Sequence, residues 1–236
     1  MLTRTLAEPH TPRTRVSNPA PVASARSQPA IGGGPLAEVI ALCGALMSFR
    51  RNEEIYGEDE PADYVYQVKS GAVRTYKLLN DGRRQIGAFH LPGDIFGLEA
   101  GNEHRLTAEA ISDATVIVIK RGTLVSQAAR NVEIARELWA FTARALEHLQ
   151  NLMLLLGRKN AQERVAAFLL EMASRAPEAG AVELPMSRQD IADYLGLTIE
   201  TVSRTLTQLE NAATIELPSS RRILLRNRTA LRQLNA

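Results

Sequence analysis

The stretch of sequence that decides the fold spans residues 186–204 and reads MSRQDIADYLGLTIETVSR. Ser187 is a predicted N-cap of a first helix, and Ala192 is small enough to let that helix approach a second one. Gly196 permits a tight turn, and Thr198 is the predicted N-cap of the second helix. This order of cap, small residue, turn and cap predicts a helix-turn-helix, an element that places side chains in a groove of DNA.

The second predicted helix carries four side chains on one face that the core does not need, at i, i+1, i+4 and i+5 spacing. Arg204 can donate two hydrogen bonds to O6 and N7 of guanine, and Glu200 can accept one from the N4 amine of cytosine. Ile199 can contact a thymine methyl, and Ser203 can reach a base or a phosphate. We expect these four residues to read bases. The alternative is an ordinary i, i+4 surface salt bridge between Glu200 and Arg204.

Five arginines crowd the last sixteen residues, although the net charge of the whole chain is only +2. A charge run of this kind is often a solvated face. Beside a helix-turn-helix, phosphate contact is the interpretation that we favour. Backbone N–H groups at a helix N-terminus can also hold a phosphate. The predicted phosphate contacts are Ser187, Arg188, Thr198, Thr201, Arg221 and Arg222.

The composition suits one large domain or two small ones, since the chain has 236 residues and 45% of them are hydrophobic. No apolar run is long enough to span a membrane, and the N-terminus lacks the apolar stretch of a signal peptide. The one cysteine, Cys43, excludes an internal disulfide and any cluster held by several cysteines. Cys43 is expected to be a small buried side chain in a helix. We expect a cytoplasmic protein with no membrane partner and no bound metal.

The first half of the chain is predicted to be a tail followed by a strand-rich domain. Residues 1–34 are rich in proline, serine and arginine, which indicates a mobile tail, with an organelle transit peptide as the alternative. Residues 35–130 begin with a short helix over 36–47 and continue as seven or eight short strands. The pair Asp81-Gly82 marks a hairpin turn. Short strands at this spacing predict a small antiparallel roll or barrel.

The second half is predicted to be one long helix followed by a DNA-binding domain. The helix covers residues 131–157, and Gly157 is expected to end it. Residues 158–236 are expected to contain a helix over 161–174, a loop over 176–181, the helix-turn-helix and a β-hairpin. A hairpin in this position predicts the wing of a winged helix.

The long predicted helix has two apolar seams at 3–4 spacing. One seam can pack on the strand domain while the other meets an identical helix of a partner. The alternative is a single helix that is buried on all sides. We favour a homodimer, because the other parts of the chain are typical of a dimeric DNA-binding protein. The predicted dimer contacts are Leu146, Leu149, Met153 and Leu156.

Three motifs in this order resemble those of the CRP/FNR family of bacterial transcription regulators. They are Ser70-Gly71 with Val73-Arg74, the stretch LPGDIFG over residues 91–97, and the stretch GLTIETVSR over residues 196–204. Glu200, Ser203 and Arg204 are similar to the FNR and FixK branch, whereas the CRP branch has arginine in place of Ile199 and glycine in place of Ser203. The resemblance covers all but the first thirty-odd residues.

The resemblance implies an α+β protein with an antiparallel β-roll of the cyclic-nucleotide-binding type, a long dimerisation helix and a C-terminal winged helix-turn-helix. It also implies a homodimer that binds double-stranded DNA at palindromic promoters, with half-sites like TTGAT, and that contacts RNA polymerase. Members of the FixK type are activators in most cases and need no bound cofactor. Their targets include genes for life at low oxygen and for nitrogen fixation.

The sequence offers little support for a bound effector or for catalysis. The roll of a cyclic-AMP-binding member needs a Gly-Glu pair and an Arg-Ser/Thr-Ala run; here Leu98 separates Gly97 from Glu99, and Leu106 separates Arg105 from residues 107–108. Several cysteines of an iron–sulfur site are absent. An enzyme is disfavoured, because no phosphate loop or catalytic constellation is present. A regulator gated by a cyclic nucleotide or by haem stays the alternative to a cofactor-independent one.

Overall fold

The computed structural model describes residues 34–175 and 180–235, so that all of the predicted tail except Gly34 lies outside the described residues. The helices are α1 (Pro35–Cys43), α2 (Arg121–Arg130), α3 (Val132–Arg158), α4 (Ala161–Arg175), α5 (Arg188–Leu195), α6 (Ile199–Asn211) and α7 (Arg228–Asn235). The strands are β1 (Ala45–Phe49), β2 (Glu54–Tyr56), β3 (Tyr64–Ser70), β4 (Val73–Leu78), β5 (Arg84–His90), β6 (Ile95–Phe96), β7 (Thr107–Ala110), β8 (Ala114–Lys120), β9 (Ala181–Glu183), β10 (Ile215–Glu216) and β11 (Arg222–Leu225).

Strands β1 to β8 form a roll of two antiparallel sheets, with strand orders β1-β8-β3-β6 and β2-β7-β4-β5. Side chains of β8 pack into two separate hydrophobic cores, because successive side chains of a strand point to opposite faces. Val116 packs between the sheets with Tyr66 and Phe96. Ile119 packs on the other face of β8, in a cluster with Ile40 of α1. The roll is therefore filled inside and covered by helices outside.

Gly71, between β3 and β4, allows a close approach that a larger residue would block. Its φ is +78°, and a Cβ there would lie 2.2 Å from the carbonyl oxygen of Asp113. Gly82, in the predicted hairpin turn, has a similar φ of +84°, but a Cβ there would meet nothing within 4 Å. A substitution at Gly82 therefore tests the effect of backbone conformation alone, whereas one at Gly71 adds the effect of steric overlap.

We predict that Gly71→Ala lowers the free energy of unfolding by about 3 kcal/mol, because the left-handed conformation and the overlap both oppose it. Gly82→Ala should cost only about 1 kcal/mol, since conformation alone opposes it. Urea unfolding of the two variants and the parent chain measures the difference. Equal losses in both variants would show that the contact with Asp113 has no energetic weight.

The long helix α3 has a seam that the described residues leave uncovered. The second predicted seam consists of Leu138, Phe141, Ala145, Leu152 and Leu155. Leu152 is buried and Leu138 and Leu155 pack on the cores, whereas Ala145 is exposed. Leu156, at the end of the first seam, is half-buried against the core of the C-terminal domain. A seven-residue apolar repeat is typical of a helix that pairs with another helix. The exposed side chains of the uncovered seam are Val132, Trp139, Leu146, Leu149 and Met153.

Two predicted helix ends are wrong. The first helix ends at Cys43 rather than at residue 47, because the chain extends at Gly44 and β1 then pairs with β8. The long helix continues through Gly157 to Arg158. Its end is set instead by the start of the next helix, where the Asn160 side chain accepts hydrogen bonds from the first backbone N–H groups of α4.

Two short elements lie where no helix or strand was predicted. Helix α2 has few apolar residues, and Leu124 is the one that it buries. Strand β9 begins at Ala181, the last residue of the predicted loop; residues 176–179 of that loop lie outside the described part of the chain. Strand β9 adds a third strand to the predicted wing hairpin, with the order β10-β11-β9. The short length of β9 explains why periodicity did not reveal it.

Helices α4 to α7 and this small sheet make up the C-terminal domain. Phe168 of α4, Leu195 of α5 and Val202 of α6 lie in one buried cluster. Ile223 of the wing and Leu231 of α7 belong to the same cluster. The predicted α+β architecture, with an antiparallel β-roll, a long helix and a helix-turn-helix with wing strands, is confirmed.

Candidate DNA-binding site

The first helix of the motif begins with a reciprocal cap. The Ser187 hydroxyl accepts a hydrogen bond from the backbone N–H of Asp190 at 3.1 Å. The Asp190 carboxylate accepts one in return from the backbone N–H of Ser187 at 2.9 Å. The predicted N-cap is thus confirmed, and the cap occupies the Ser187 hydroxyl within the chain.

The turn between the two helices is tight and is held from outside. Gly196 has a φ of +61°, the left-handed conformation that the sequence predicts for it. Thr198 caps α6 by accepting a hydrogen bond from the backbone N–H of Thr201 at 3.2 Å. The Arg164 guanidinium donates to the carbonyl of Leu195 at the end of α5 and to the carbonyl of Leu156 in α3, both at 2.9 Å. Sequence reasoning missed Arg164, because no local pattern distinguishes it from other helical arginines.

The outward face of α6 presents the four predicted base-reading residues. Ile199, Glu200 and Arg204 are exposed, and Ser203 is half-buried. Hydrogen bonds from its own backbone N–H and from the Thr198 hydroxyl lower the pKa of Glu200. The opposite face of α6 is buried through Val202, Thr205, Leu206 and Leu209.

Glu200 and Arg204 form no salt bridge with each other in the described parts of the chain. The Arg204 guanidinium instead lies 3.5 Å from the Thr201 hydroxyl. The geometry therefore gives no support to the alternative that these two residues are a surface ion pair. Both side chains are exposed and, among the described residues, contact only threonine side chains or backbone of the same helix end, so that a partner on the outer face of α6 can reach them.

The predicted phosphate-contacting residues lie at two places, the helix-turn-helix and the wing. Arg188 is half-buried at the start of α5, and Thr201 is half-buried on α6. Arg221 is exposed before β11, and its backbone N–H contacts the Ser219 hydroxyl at 3.3 Å. Arg222 lies 3.7 Å from the carboxylate of Glu183 across the wing. Both arginines are therefore exposed, and among the described residues Arg222 lies near a carboxylate whereas Arg221 forms no ion pair.

A cavity of about 790 Å³ lies between the roll, α3 and α4. Gly97, Leu98 and Glu99 line it, at the place where a member of the resembled family would hold a cyclic phosphate. Leu106 also lines it, whereas Arg105 is exposed and faces a different surface depression. The arginine that such a phosphate needs is therefore displaced from the wall. Two other arginines, Arg144 of α3 and Arg175 of α4, do line the cavity.

Two histidines of the roll, His104 and His90, stack on aromatic rings. His104 is 1% exposed and stacks on Tyr56, with ring centroids 3.6 Å apart. Its ring nitrogens have no hydrogen-bond partner within the described residues, and burial lowers its pKa. In the same regions, no three histidine, cysteine, aspartate or glutamate side chains are grouped to hold a metal.

His90 lines the cavity and is expected to be a pH-sensitive element of the fold. Its ring accepts or donates a hydrogen bond with the Thr75 hydroxyl at 3.1 Å and stacks on Phe96. Burial, assisted by the charge of Arg175 and by His148, lowers the pKa of His90 to about 3. The folded protein therefore holds His90 neutral, whereas the unfolded chain protonates it below a pH of about 6.5.

We predict that the free energy of unfolding falls as pH drops from about 6.5 towards 3, because protons bind the unfolded chain preferentially. The loss of unfolding free energy that is due to His90 should reach about 1 kcal/mol by pH 5. This is below the value expected from the full pKa difference, because the residue is only half-buried. Urea unfolding of the parent chain and of His90→Gln at pH 7 and pH 5 isolates it. An unchanged pH dependence in His90→Gln would contradict the assignment.

Cys43 is exposed at the end of α1, so the prediction of a buried cysteine is wrong. The residue ends the helix instead of packing inside it, because the chain leaves α1 at Gly44. Among the helices that the structure describes, none is both long enough and apolar enough to cross a membrane.

Comparisons with known proteins agree with this geometry. Residues 163–234 match the Crp-like helix-turn-helix domain, and residues 46–131 match the cyclic nucleotide-binding domain. The nitrogen fixation regulation protein FixK of Azorhizobium caulinodans is 54% identical over 205 residues, which cover 85% of this chain and 83% of that protein. The transcriptional activatory protein AadR of Rhodopseudomonas palustris is 45% identical over 177 residues, covering 73% and 74%.

A solved structure is also similar over most of the fold. The structure of FixK2 from Bradyrhizobium japonicum is 61% identical in sequence, with a TM-score of 0.79, and the match covers 82% of this chain and 98% of that one. A DNA-binding helix-turn-helix, a roll and relatives of this identity confirm the predicted class of protein and exclude the enzyme class. The chain therefore belongs to the CRP/FNR family and is a FixK-like DNA-binding transcription regulator.

Proposed function

We propose that the protein is a cytoplasmic, homodimeric transcription activator that reads palindromic TTGAT-like sites without a bound cofactor. The observation that carries the proposal is the outward face of α6. Glu200 and Arg204 there are exposed, carry opposite charges and do not bond to each other. Such a pair can satisfy both partners of a C·G base pair, with Arg204 on guanine and Glu200 on cytosine. Ile199 adds an apolar contact for a thymine methyl.

The uncovered seam of α3 supports the dimer. Four of its five exposed apolar side chains, from Val132 to Met153, repeat every seven residues, and Leu149 lies three residues after Leu146 on the same side of the helix. Pairing two such helices about a two-fold axis would bury the seam and place two recognition helices on one face. We expect those helices to lie about 34 Å apart, one turn of DNA, so that each reads one half-site.

The relatives indicate a direction of regulation and a set of targets. One is called an activatory protein and another a regulator of nitrogen fixation. We extend both properties to this chain as part of the proposal, with RNA polymerase as the protein partner at the promoter.

Cofactor independence is supported by the cavity wall, because Leu106 lines the cavity whereas Arg105, which a cyclic phosphate would need, lies outside it. The volume of the cavity, about 790 Å³, is the observation that favours the ligand-gated alternative. Calorimetric titration with cyclic AMP and an absorption spectrum of the purified protein separate the two. Neither heat of binding nor a haem band is expected; either result would support the alternative.

In vitro selection tests the site preference. The purified protein, free of added cofactor, is incubated with random DNA duplexes, and the bound fraction is sequenced. We expect inverted repeats with TTGAT-like half-sites to be enriched. Enrichment of single, unpaired half-sites would contradict the dimer, and enrichment of an unrelated sequence would contradict base reading by this set of side chains.

A further inference from the structure

The first helix of the motif is bound to the roll by a cluster of ion pairs. The Asp190 carboxylate accepts hydrogen bonds from Arg74 of β4 at 2.6 Å and from Arg84 of β5 at 2.7 Å. Arg84 also donates to Asp193 at 2.8 Å, one turn further along α5. The other arm of Arg74 bonds to Glu109 of β7 at 2.7 Å. We call these five residues the roll clamp.

The roll clamp is shielded from water. The side chains of Arg74 and Asp190 are 10% and 6% exposed, far less than an ordinary surface pair. A buried charge that loses its partner is strongly unfavourable, so such a cluster tolerates one arrangement and penalises others. Arg74 Nε is buried without a hydrogen-bond partner among the described residues. The cluster is therefore not optimised for stability alone, and its value lies in the geometry that it specifies.

Contacts along the length of α5 extend the clamp. At the far end of the helix, the Gln85 amide donates to the carbonyl of Tyr194 at 3.2 Å. The Tyr194 ring packs on Phe89 of β5, with centroids 5.3 Å apart. Ile86 of the same strand belongs to the buried cluster of the C-terminal domain. Both ends of α5 are thus attached to strand β5.

This attachment limits the orientation of α6, the helix proposed to read bases. Only three residues, 196–198, separate α5 from α6, so a rotation of α5 moves α6 with it. Arg164 joins the turn to α3 from the other side, through the carbonyls of Leu195 and Leu156. The helix-turn-helix therefore has two attachments, one to the dimer helix and one to the roll.

We propose that Arg74 and Arg84 are positioning residues for DNA reading: through Asp190 and Asp193 they set the orientation of α6, and hence the half-site spacing that a dimer accepts. The effect of these two residues on DNA rests on the proposed function, whereas the ion pairs of the roll clamp do not. Neither arginine lies on the face of α6 that would touch bases. Their effect on binding passes through α5.

A distance measurement tests the clamp without DNA. Cys43, the one cysteine in the sequence, is exposed on α1, and Thr207→Cys adds a second exposed label site on α6. Doubly spin-labelled protein is mixed with excess unlabelled protein, so that each dimer carries at most one labelled chain. We expect one narrow distance distribution in the parent chain and a broad or shifted one in Arg84→Glu, because the new carboxylate would face those of Asp190 and Asp193.

Arg83→Glu is the matched control, because Arg83 is exposed and pairs with Asp81 of its own turn. It should keep the parent distance. Arg84→Gln replaces Arg84→Glu if the reversed charge prevents folding. An unchanged distance distribution in the Arg84 variant would overturn the clamp.

Binding to palindromes of varied spacer length gives the functional readout. The parent chain should prefer one spacing, and Arg84→Glu should bind that spacing roughly tenfold less well while losing the preference among spacings. A lower melting temperature with an unchanged spacing preference would show a merely structural role and overturn the positioning claim. If the parent chain binds no palindrome, the proposed function fails, while the label distances still decide the clamp.

Discussion

Replacement of Leu149 by glutamate is expected to yield a monomer whose affinity for a palindromic site is at least about a hundredfold lower, the gain that two linked contacts give over one. Leu149 lies in the uncovered seam of α3 and is 55% exposed in the single chain. In a dimer, its partner helix would bury the new carboxylates against apolar side chains and against each other. The loss of the dimer removes one of the two half-site contacts.

Leu154→Glu is the matched control. Leu154 is also 55% exposed on α3, but it lies one position after Met153 and outside the uncovered seam. Light scattering should report a dimer for Leu154→Glu and a monomer for Leu149→Glu, with fluorescence anisotropy reporting the affinities. A dimer in both variants would refute the assignment of the seam.

Replacement of Arg204 by alanine is expected to cost about 1–3 kcal/mol of specific binding and to relax the preference at one base pair of each half-site. The guanidinium is exposed on the outer face of α6 and is not paired with Glu200. Its removal therefore takes away a bidentate contact to guanine without breaking an ion pair within the protein. Thermal melting should change little.

Arg221→Ala is the comparison for Arg204→Ala. Arg221 is exposed at the wing, where we expect it to contact phosphates and not base edges. Its loss should weaken matched and scrambled duplexes alike and reduce the salt dependence by the equivalent of about one ion pair. If Arg204→Ala weakens both duplexes equally, Arg204 contacts phosphate and does not read bases.

Local patterns were sufficient to predict the helix-turn-helix. A cap, a glycine turn and a second cap depend on neighbours within a few residues, so Ser187, Gly196 and Thr198 could be assigned from the sequence. The roll was predictable for the same reason, since its strands alternate and its turns carry glycine. The helix ends at Cys43 and Arg158 were not, because strand pairing and the cap of the next helix determine them.

The roll clamp lay beyond prediction. Arg74 and Asp190 are 116 residues apart in the chain, and each has an ordinary local role, in a strand and in a capping box. Nothing in either segment indicates which partner the other side chain will meet. Arg164 is a similar case, since its partners in α3 and α5 become neighbours only after the domains have packed.

Titration of purified, cofactor-free protein with a duplex carrying inverted TTGAT repeats, and with a scrambled duplex of equal length, tests dimeric base reading in one measurement. We predict two chains for each duplex and an affinity for the repeat at least about a thousandfold higher than for the scrambled duplex. One chain for each duplex, or equal affinities for the two sequences, would contradict the proposed function.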